Sequence, residues 1–268
     1  MEPIRSVGIV GLGKMGAPIA RHLAAAGFET HGLDIDQAAM AAAQKHGVRI
    51  AANAAELARL SHLVIVLTAF EEQVEEVIFG AEGVAAGASP GTIVAVAATI
   101  NPNSMRDIAE RLASRGLVAL DIPICRGEGP AEAGELLITA GGDAQAFEAC
   151  RPAFATFANS IHLLGGPGAG QAGKMVNNLI LWACISANTE GFKLGNKYGV
   201  TKEAMRKMLL ESSAQNWAMS TDVDPSYMPW AEKDMMIVLS EADRVRLSMP
   251  MAGVVKEVIK GIKIEHGH

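Results

Sequence analysis

The chain has 268 residues, half of them hydrophobic and 19% charged, which is enough to bury one large core or two smaller ones and too apolar for a disordered protein. Its formal charge of -6 comes with no long basic run, so it repels phosphate backbones, and nucleic acid is not an expected partner. Three widely spaced cysteines, Cys125, Cys150 and Cys184, fit no metal-ligand pattern and leave one over if two pair; no metal is expected, and a reducing cytoplasm suits the chain.

The first apolar run, Ile4 to Val10, begins close to Met1 and is broken by Gly8, Gly11 and Gly13, which leaves no room for a secretory signal. The mature protein is expected to start at or near Met1. From there to about Leu164, short apolar runs alternate with amphipathic helical stretches, the pattern of a parallel sheet covered by helices. Strands are predicted at Ile4 to Val10, Glu29 to Leu33, Leu63 to Leu67, Thr92 to Val96, Val118 to Asp121, Leu136 to Ala140 and Ser160 to Leu164. A helix is predicted over Ala17 to Ala26, closed by Gly27 as a left-handed cap residue.

After Leu164 the pattern changes. A Gly-rich stretch, Gly165 to Gly173, leads into a long helix predicted from about Lys174 to Tyr198. Further helices are predicted at Lys202 to Glu211, Trp230 to Ser248 and Ala252 to Lys263, separated by Pro225, Pro229 and Pro250. The most membrane-like stretch, Leu179 to Ala187, is flanked by Asn177, Asn178 and Asn188 and falls well short of a bilayer span, so it reads as a buried helix and no membrane partner is expected. Leu179, Ile180, Leu181, Trp182 and Ile185 surround much of that helix, and a homodimer or homotetramer is expected to cover it.

Gly11, Gly13 and Gly16 spell GxGxxG between a strand and an alanine-rich helix. The first glycine permits a tight turn, the second lets backbone approach a pyrophosphate, and the third lets the helix close on the strand, with the helix N-terminus facing the phosphates. Pro18 in the first helical turn is tolerated there. About 20 residues on, Asp34 ends the second strand where a carboxylate can accept from ribose hydroxyls and repel a 2′-phosphate. No arginine follows it, so NAD is expected in preference to NADP. The bland alternative makes the glycines turn residues and Asp34 a helix cap. A second GxGxxG, Gly168, Gly170 and Gly173, precedes a long helix with no following strand and is read as a hinge or a close-approach segment.

The expected architecture is therefore α/β: an N-terminal Rossmann dinucleotide-binding domain over residues 1–164, then an all-helical C-terminal domain over residues 165–268, with small ligands in the cleft between them. Lys174 opens the long helix and Asn178 follows one turn later on the same face. Oxidising an alcohol requires removal of the hydroxyl proton as hydride leaves carbon. A lysine desolvated in a closed cleft beside a cationic nicotinamide can take that proton, and an asparagine can fix it or the substrate hydroxyl without changing charge.

The order of GxGxxG, an acid ending the second strand, Asp121-Ile122-Pro123-Ile124, Gly141-Gly142, Gly168-Ala169-Gly170-Gln171-Ala172-Gly173-Lys174-Met175-Val176-Asn177-Asn178, and Lys233-Asp234-Met235 resembles the β-hydroxyacid dehydrogenases over nearly the whole chain. The resemblance implies that Lys174 is catalytic and Asn178 assists it, that Lys233 lines the cleft near substrate and cofactor, and that Thr99 lies near the nicotinamide. It groups Leu12, Lys14, Met15 and Thr68 with the three glycines, Asp34, Thr99 and Lys233 as cofactor-binding residues. Ile124, Cys125, Arg126 and Gly127 form the implied substrate loop, joined by Lys174, Asn178 and Lys233.

Two departures stand out. The family's substrate loop usually reads Asp, any residue, Pro, Val, Ser, Gly, Gly, and here Cys125 and Arg126 replace the serine and the first of those glycines. The chain also stops soon after Ile264, short of the tail of many relatives. An arginine supplies a planar fork suited to carboxylate, sulfonate or phosphate, and sulfolactaldehyde reductases of the same family carry one after the corresponding strand end. The implied substrate is a small anionic organic acid, unless Arg126 only points to solvent. Cys125 reads as a small apolar filler. Two other readings are kept: an imine reductase on the same scaffold, which would typically lack the lysine, and a non-catalytic NAD-binding protein.

Overall fold

The computed structural model describes residues 3–225 and 228–267. Met1, and with it the expected start of the mature chain, lies outside the described residues, as does residue 268 at the end of the second expected domain. The chain divides into two compact units, Met1–Lys174 and Met175–His268.

In the first unit the nucleotide-type alternation is present from the outset: Ser6–Val10 (β1), Gly16–Ala25 (α1), Glu29–Leu33 (β2), Gln37–Gln44 (α2), Arg49–Ile50 (β3), Ala54–Arg59 (α3) and Leu63–Val66 (β4). It continues through Glu71–Phe79 (α4), Val84–Gly87 (α5), Ile93–Val96 (β5), Pro102–Ala113 (α6) and Val118–Asp121 (β6). The apolar runs at β4 and β5 are buried at every residue, as strands covered by helices on both faces must be. One core cluster, with Ile9, Leu23, Ile65 and Leu120, fills one face of the sheet, and another, with Leu57, Val64, Val94 and Ile108, fills the other. Gly27 closes α1 at φ +89°, as its position after the last apolar turn predicts.

Beyond β6 the expectation of a purely parallel sheet needs correcting. The chain continues through Ile124–Cys125 (β7), Glu128–Ala133 (α7), Leu136–Gly142 (β8), Ala144–Phe154 (α8) and Ala158–Gly165 (β9). The strand order is β3-β2-β1-β4-β5-β6-β8-β7, with β9 paired to β8. The pairs from β3 to β6 are parallel, whereas β8 runs antiparallel to both β6 and β7. A parallel crossover needs a dozen or more residues, usually a helix laid along the sheet. Between β6 and β8 part of the connection is itself a strand and the helix has only 6 residues, so the chain returns antiparallel.

Ala169–Lys197 forms one helix, α9, of 29 residues. It begins well before Lys174, so the Gly168, Gly170 and Gly173 segment is not a hinge leading into a helix but mostly the first turns of the helix itself. The close-approach half of that reading holds. A Cβ on Gly170 would lie 2.6 Å from the Thr139 carbonyl oxygen, and one on Gly173 would lie 2.4 Å from the Leu164 side chain.

The second unit adds Lys202–Leu209 (α10), Trp217–Ser220 (α11), Ala231–Arg244 (α12) and Pro250–Glu265 (α13), and no strand among its described residues. The predicted helix over Trp230 to Ser248 ends earlier, because Arg246 adopts φ +55°. Pro250 starts α13 instead of separating it from its predecessor. Ile185, Met235, Val238, Val255 and Ile259 form the unit's core, and Leu179, Leu181 and Trp182 pack against it. Ile180 stays exposed, so the run from Leu179 to Ala187 is covered on one side and is not a fully buried helix. No helix among the described residues is long and apolar enough to cross a membrane.

Candidate active site

The order β3-β2-β1-β4-β5 places the reversal of strand order between β1 and β4, and ligands of such sheets bind beyond the carboxyl ends of the strands flanking that point. Gly11 follows β1, Asp34 follows β2, Thr68 lies just beyond β4 and Thr99 just beyond β5, so four expected cofactor residues fall on that edge. Gly11 sits at φ +101°, its N–H donates to the Leu33 carbonyl at 2.9 Å, and a Cβ there would lie 2.1 Å from the Leu67 carbonyl oxygen. A Cβ on Gly16 would lie 1.8 Å from the Gly11 carbonyl oxygen. At Gly13 a Cβ would meet nothing within 4 Å. The first and third glycines are therefore demanded by the protein itself, and the second leaves an open cradle of the kind a pyrophosphate needs.

Asp34 is half-buried: its Oδ2 accepts from the Leu12 N–H at 2.5 Å and its Oδ1 from the Asp36 N–H at 2.9 Å. The helix-cap role belongs instead to Asp36, which accepts from the Ala38 N–H at the start of α2. Two carboxylates thus flank Ile35, which is 99% exposed. The Leu12 side chain is core, so only its backbone is open to a ligand, and Met15 also packs against that core. Lys14 pairs with Glu128 at 3.1 Å, linking the glycine loop to the segment after Gly127.

Asp121, at the end of β6, is fully buried. Its carboxylate accepts from the Gly168 N–H at 2.9 Å and the Gln171 N–H at 2.8 Å, and so caps α9. Burial pushes its pKa above the usual carboxylate value, and the backbone donors oppose this without overcoming it. Gln171, also buried, donates its amide to the Ala98 carbonyl at 2.7 Å and accepts from the Ile100 N–H at 3.1 Å. One turn later the Lys174 Nζ donates to the Ile124 carbonyl at 2.7 Å. Neither Asp121 nor Gln171 was singled out as a site residue by the sequence reading. The only signal was their position in otherwise recognisable segments, because a hydrogen bond between residues 50 positions apart has no local pattern.

The expected substrate loop is not wholly a loop. Ile124 and Cys125 are buried in β7, and Cys125 stands as the expected apolar filler. Arg126 does not simply point to solvent: its Nη1 donates to the Glu135 carbonyl at 2.7 Å and the Asn159 Oδ1 at 2.6 Å. Its backbone is at φ +89° and that of Gly127 at +82°, a conformation that accounts for glycine being usual at this place in the resembling enzymes. In the second unit, Asn178 is buried and its Oδ1 accepts from Asn177 Nδ2 at 3.0 Å. Lys233 lies 5.9 Å from the Trp230 ring, and its neighbour Asp234 accepts from the Trp182 indole at 3.0 Å. Among the described residues no group of three or more His, Cys, Asp or Glu is arranged to hold a metal.

Residues 6–166 match a family model for the NAD binding domain of 6-phosphogluconate dehydrogenase, and residues 168–268 match one for the NAD-binding region of NADP-dependent 3-hydroxyisobutyrate dehydrogenase. The chain is 30% identical over 264 residues to the L-threonate dehydrogenase of Cupriavidus necator, covering 95% of this chain and 89% of that protein. It is 33% identical over 227 residues to the NAD-dependent L-serine dehydrogenase of Pseudomonas aeruginosa, covering 85% and 74%. The structure of Mycobacterium tuberculosis 3-hydroxyisobutyrate dehydrogenase with L-serine is similar, with a TM-score of 0.88 and 25% identity over 98% of this chain and 95% of that one. Fold and site together define an enzyme, a dehydrogenase with a dinucleotide cofactor of the NAD type. The chain belongs to the β-hydroxyacid dehydrogenase family.

The two glycine roles can be separated. Gly16→Ala should destabilise the protein by about 2–3 kcal/mol, since backbone must move to admit a methyl group. Gly13→Ala should leave stability within about 0.5 kcal/mol while weakening NAD binding at least about tenfold, or ~1.4 kcal/mol. Thermal melts with and without NAD, alongside a binding titration, distinguish the two; an Ala at 13 that binds NAD normally contradicts the cradle.

Proposed function

We propose that the protein interconverts a small anionic β-hydroxyacid and its aldehyde or ketone with NAD, using Lys174 as the general acid and base. The observation that carries the reading is the Lys174 Nζ fixed on the carbonyl of Ile124, in the strand that leads into the substrate segment. Bound NAD supplies the hydride acceptor. A neutral Lys174 amine that gives one N–H to Ile124 retains a lone pair with which to take the substrate hydroxyl proton as hydride leaves the same carbon, and it returns that proton to the carbonyl oxygen in reverse. Asn178, one turn along α9, orients lysine or hydroxyl, and the family resemblance assigns Lys233 a positive charge near substrate and cofactor. The similar enzymes named for L-threonate and L-serine act on small hydroxyacids, which supports this substrate class.

Arg126 is the residue we assign to the anionic head group. Its Nη1 is committed to Glu135 and Asn159, which holds the guanidinium in place and leaves the Nε and Nη2 edge for a carboxylate or sulfonate. Turnover should be measured with NAD on L-threonate, L-serine and 3-hydroxyisobutyrate. Lys174→Ala should lose about a hundredfold or more in kcat with NAD affinity nearly unchanged. In the same assays Arg126→Ala should lose at least about tenfold in kcat/KM on the acid and little on its neutral amide. Ordinary turnover without Lys174 removes it as the acid or base, equal losses on acid and amide remove the anion role of Arg126, and activity confined to cyclic imines would favour a C=N reductase.

Asp34 and Asp36 together oppose a 2′-phosphate, so kcat/KM with NAD should exceed that with NADP by at least about tenfold, ~1.4 kcal/mol. Asp34→Asn should narrow that ratio; comparable efficiencies in the parent would overturn the assignment.

A homodimer or homotetramer in a reducing cytoplasm completes the reading. Three free cysteines support the compartment. Val176, Ile180 and Leu194 along α9, with Tyr198 just past its end, support the assembly, because they leave apolar surface exposed in the single chain. Light scattering at micromolar concentration should give twice or four times 28.0 kDa, and a monomer mass would remove the idea.

A further inference from the structure

We infer that Gln171 is a positioning residue for the transfer step: its side-chain amide fixes the segment bearing Thr99 to the same helical turn that bears Lys174. The amide donates to the Ala98 carbonyl at 2.7 Å and accepts from the Ile100 N–H at 3.1 Å, so it pairs with the backbone groups on either side of Thr99. A primary amide presents one donor face and one acceptor face in a fixed plane, and the opposite amide orientation would set donor against donor. Gln171 is 1% exposed, so water cannot substitute for either bond.

The grip is two-sided. The Glu71 Oε2 accepts from the Asn101 N–H at 3.0 Å, holding the far end of the same segment to α4. The Gln171 backbone N–H is itself held by Asp121 at 2.8 Å, and Lys174 follows within a turn, held by Ile124 at 2.7 Å. One turn of α9 thereby sets the separation between the Thr99 segment and the Lys174 amine. Because Lys174 is taken to move the proton, this inference rests on the function proposed above, and it takes the place of Thr99 near the nicotinamide from the family resemblance. A displacement of about 1 Å between reacting groups is enough to cost about a hundredfold in rate.

The test uses Gln171→Met, which keeps length and removes both bonds, and Gln171→Glu, which keeps an acceptor for Ile100 and, when ionised, turns a second oxygen toward the Ala98 carbonyl. Each is compared with the parent for NADH binding by fluorescence, kcat and KM on the best acid of the panel well below Tm, and amide exchange at Ile100. The expected result is NADH affinity and KM within about twofold of the parent, kcat lower by about tenfold or more, and faster exchange at Ile100 with the β5 amides still protected. Parent-like kcat in both variants overturns the inference, and so does loss of folding or of NADH binding in both, since Gln171 would then be architectural. If Lys174→Ala keeps its turnover, it is the proposed function that fails. If no acid in the panel is turned over, the clamp is judged on Ile100 exchange alone, and unchanged exchange overturns it.

Discussion

The buried carboxylate of Asp121 is the constraint around which the active-site half of the first unit is arranged. A carboxylate with no exposed surface is costly unless donors surround it, and here the donors are backbone N–H groups at the start of α9, where the helix dipole also favours negative charge. Burial still prevails in the balance, which is why its pKa is raised. The interaction joins the end of β6 to the first turn of the helix that carries Lys174.

That junction explains Gly170, which in the sequence looks like part of a second nucleotide motif, and Gly141 beside it in β8. A Cβ on Gly141 would lie 2.6 Å from the Asp121 Oδ1, and one on Gly170 would lie 2.8 Å from its Oδ2. Neither position admits a side chain while the helix end rests on the carboxylate. Gly11 and Gly16 obey the same steric rule in the turn between β1 and α1, where backbone meets backbone. Gly13 differs in kind, because nothing in the protein requires its missing side chain.

The segment around Arg126 shows the opposite balance. Arg126 occupies a left-handed backbone conformation that costs a residue with a Cβ about 1 kcal/mol. Its hydrogen bonds to Glu135 and Asn159, at a half-exposed position, return about as much. The same segment is tied to the nucleotide-binding part of the unit: Glu128 meets Lys14, and Glu132 of α7 meets Arg21 of α1 at 2.7 Å. The glycine loop and α1 are therefore joined by ion pairs to the segment after Gly127 within one unit.

The sequence by itself determined what rests on local periodicity and local backbone chemistry. The strands β1, β2, β4, β5 and β6 were legible as apolar runs, the end of α1 from Gly27, and the dinucleotide loop from glycines at fixed offsets with an acid after β2. Lys174 and Asn178 were legible as a same-face pair because helical spacing is also local. Tertiary structure alone decided the antiparallel return of β8, the two-residue strands β3 and β7, and the early start of α9. Short strands exist through partners rather than propensity, and a Gly-rich helix start exists because Asp121 caps it from 47 and 50 positions away. Arg126 was legible as an unusual residue, but its hold on Asn159 was not, since that contact depends on β7, β8 and β9 lying side by side. Asp121 and Gln171 were hidden for the same reason: their chemistry is addressed to backbone groups that only the folded chain brings within reach.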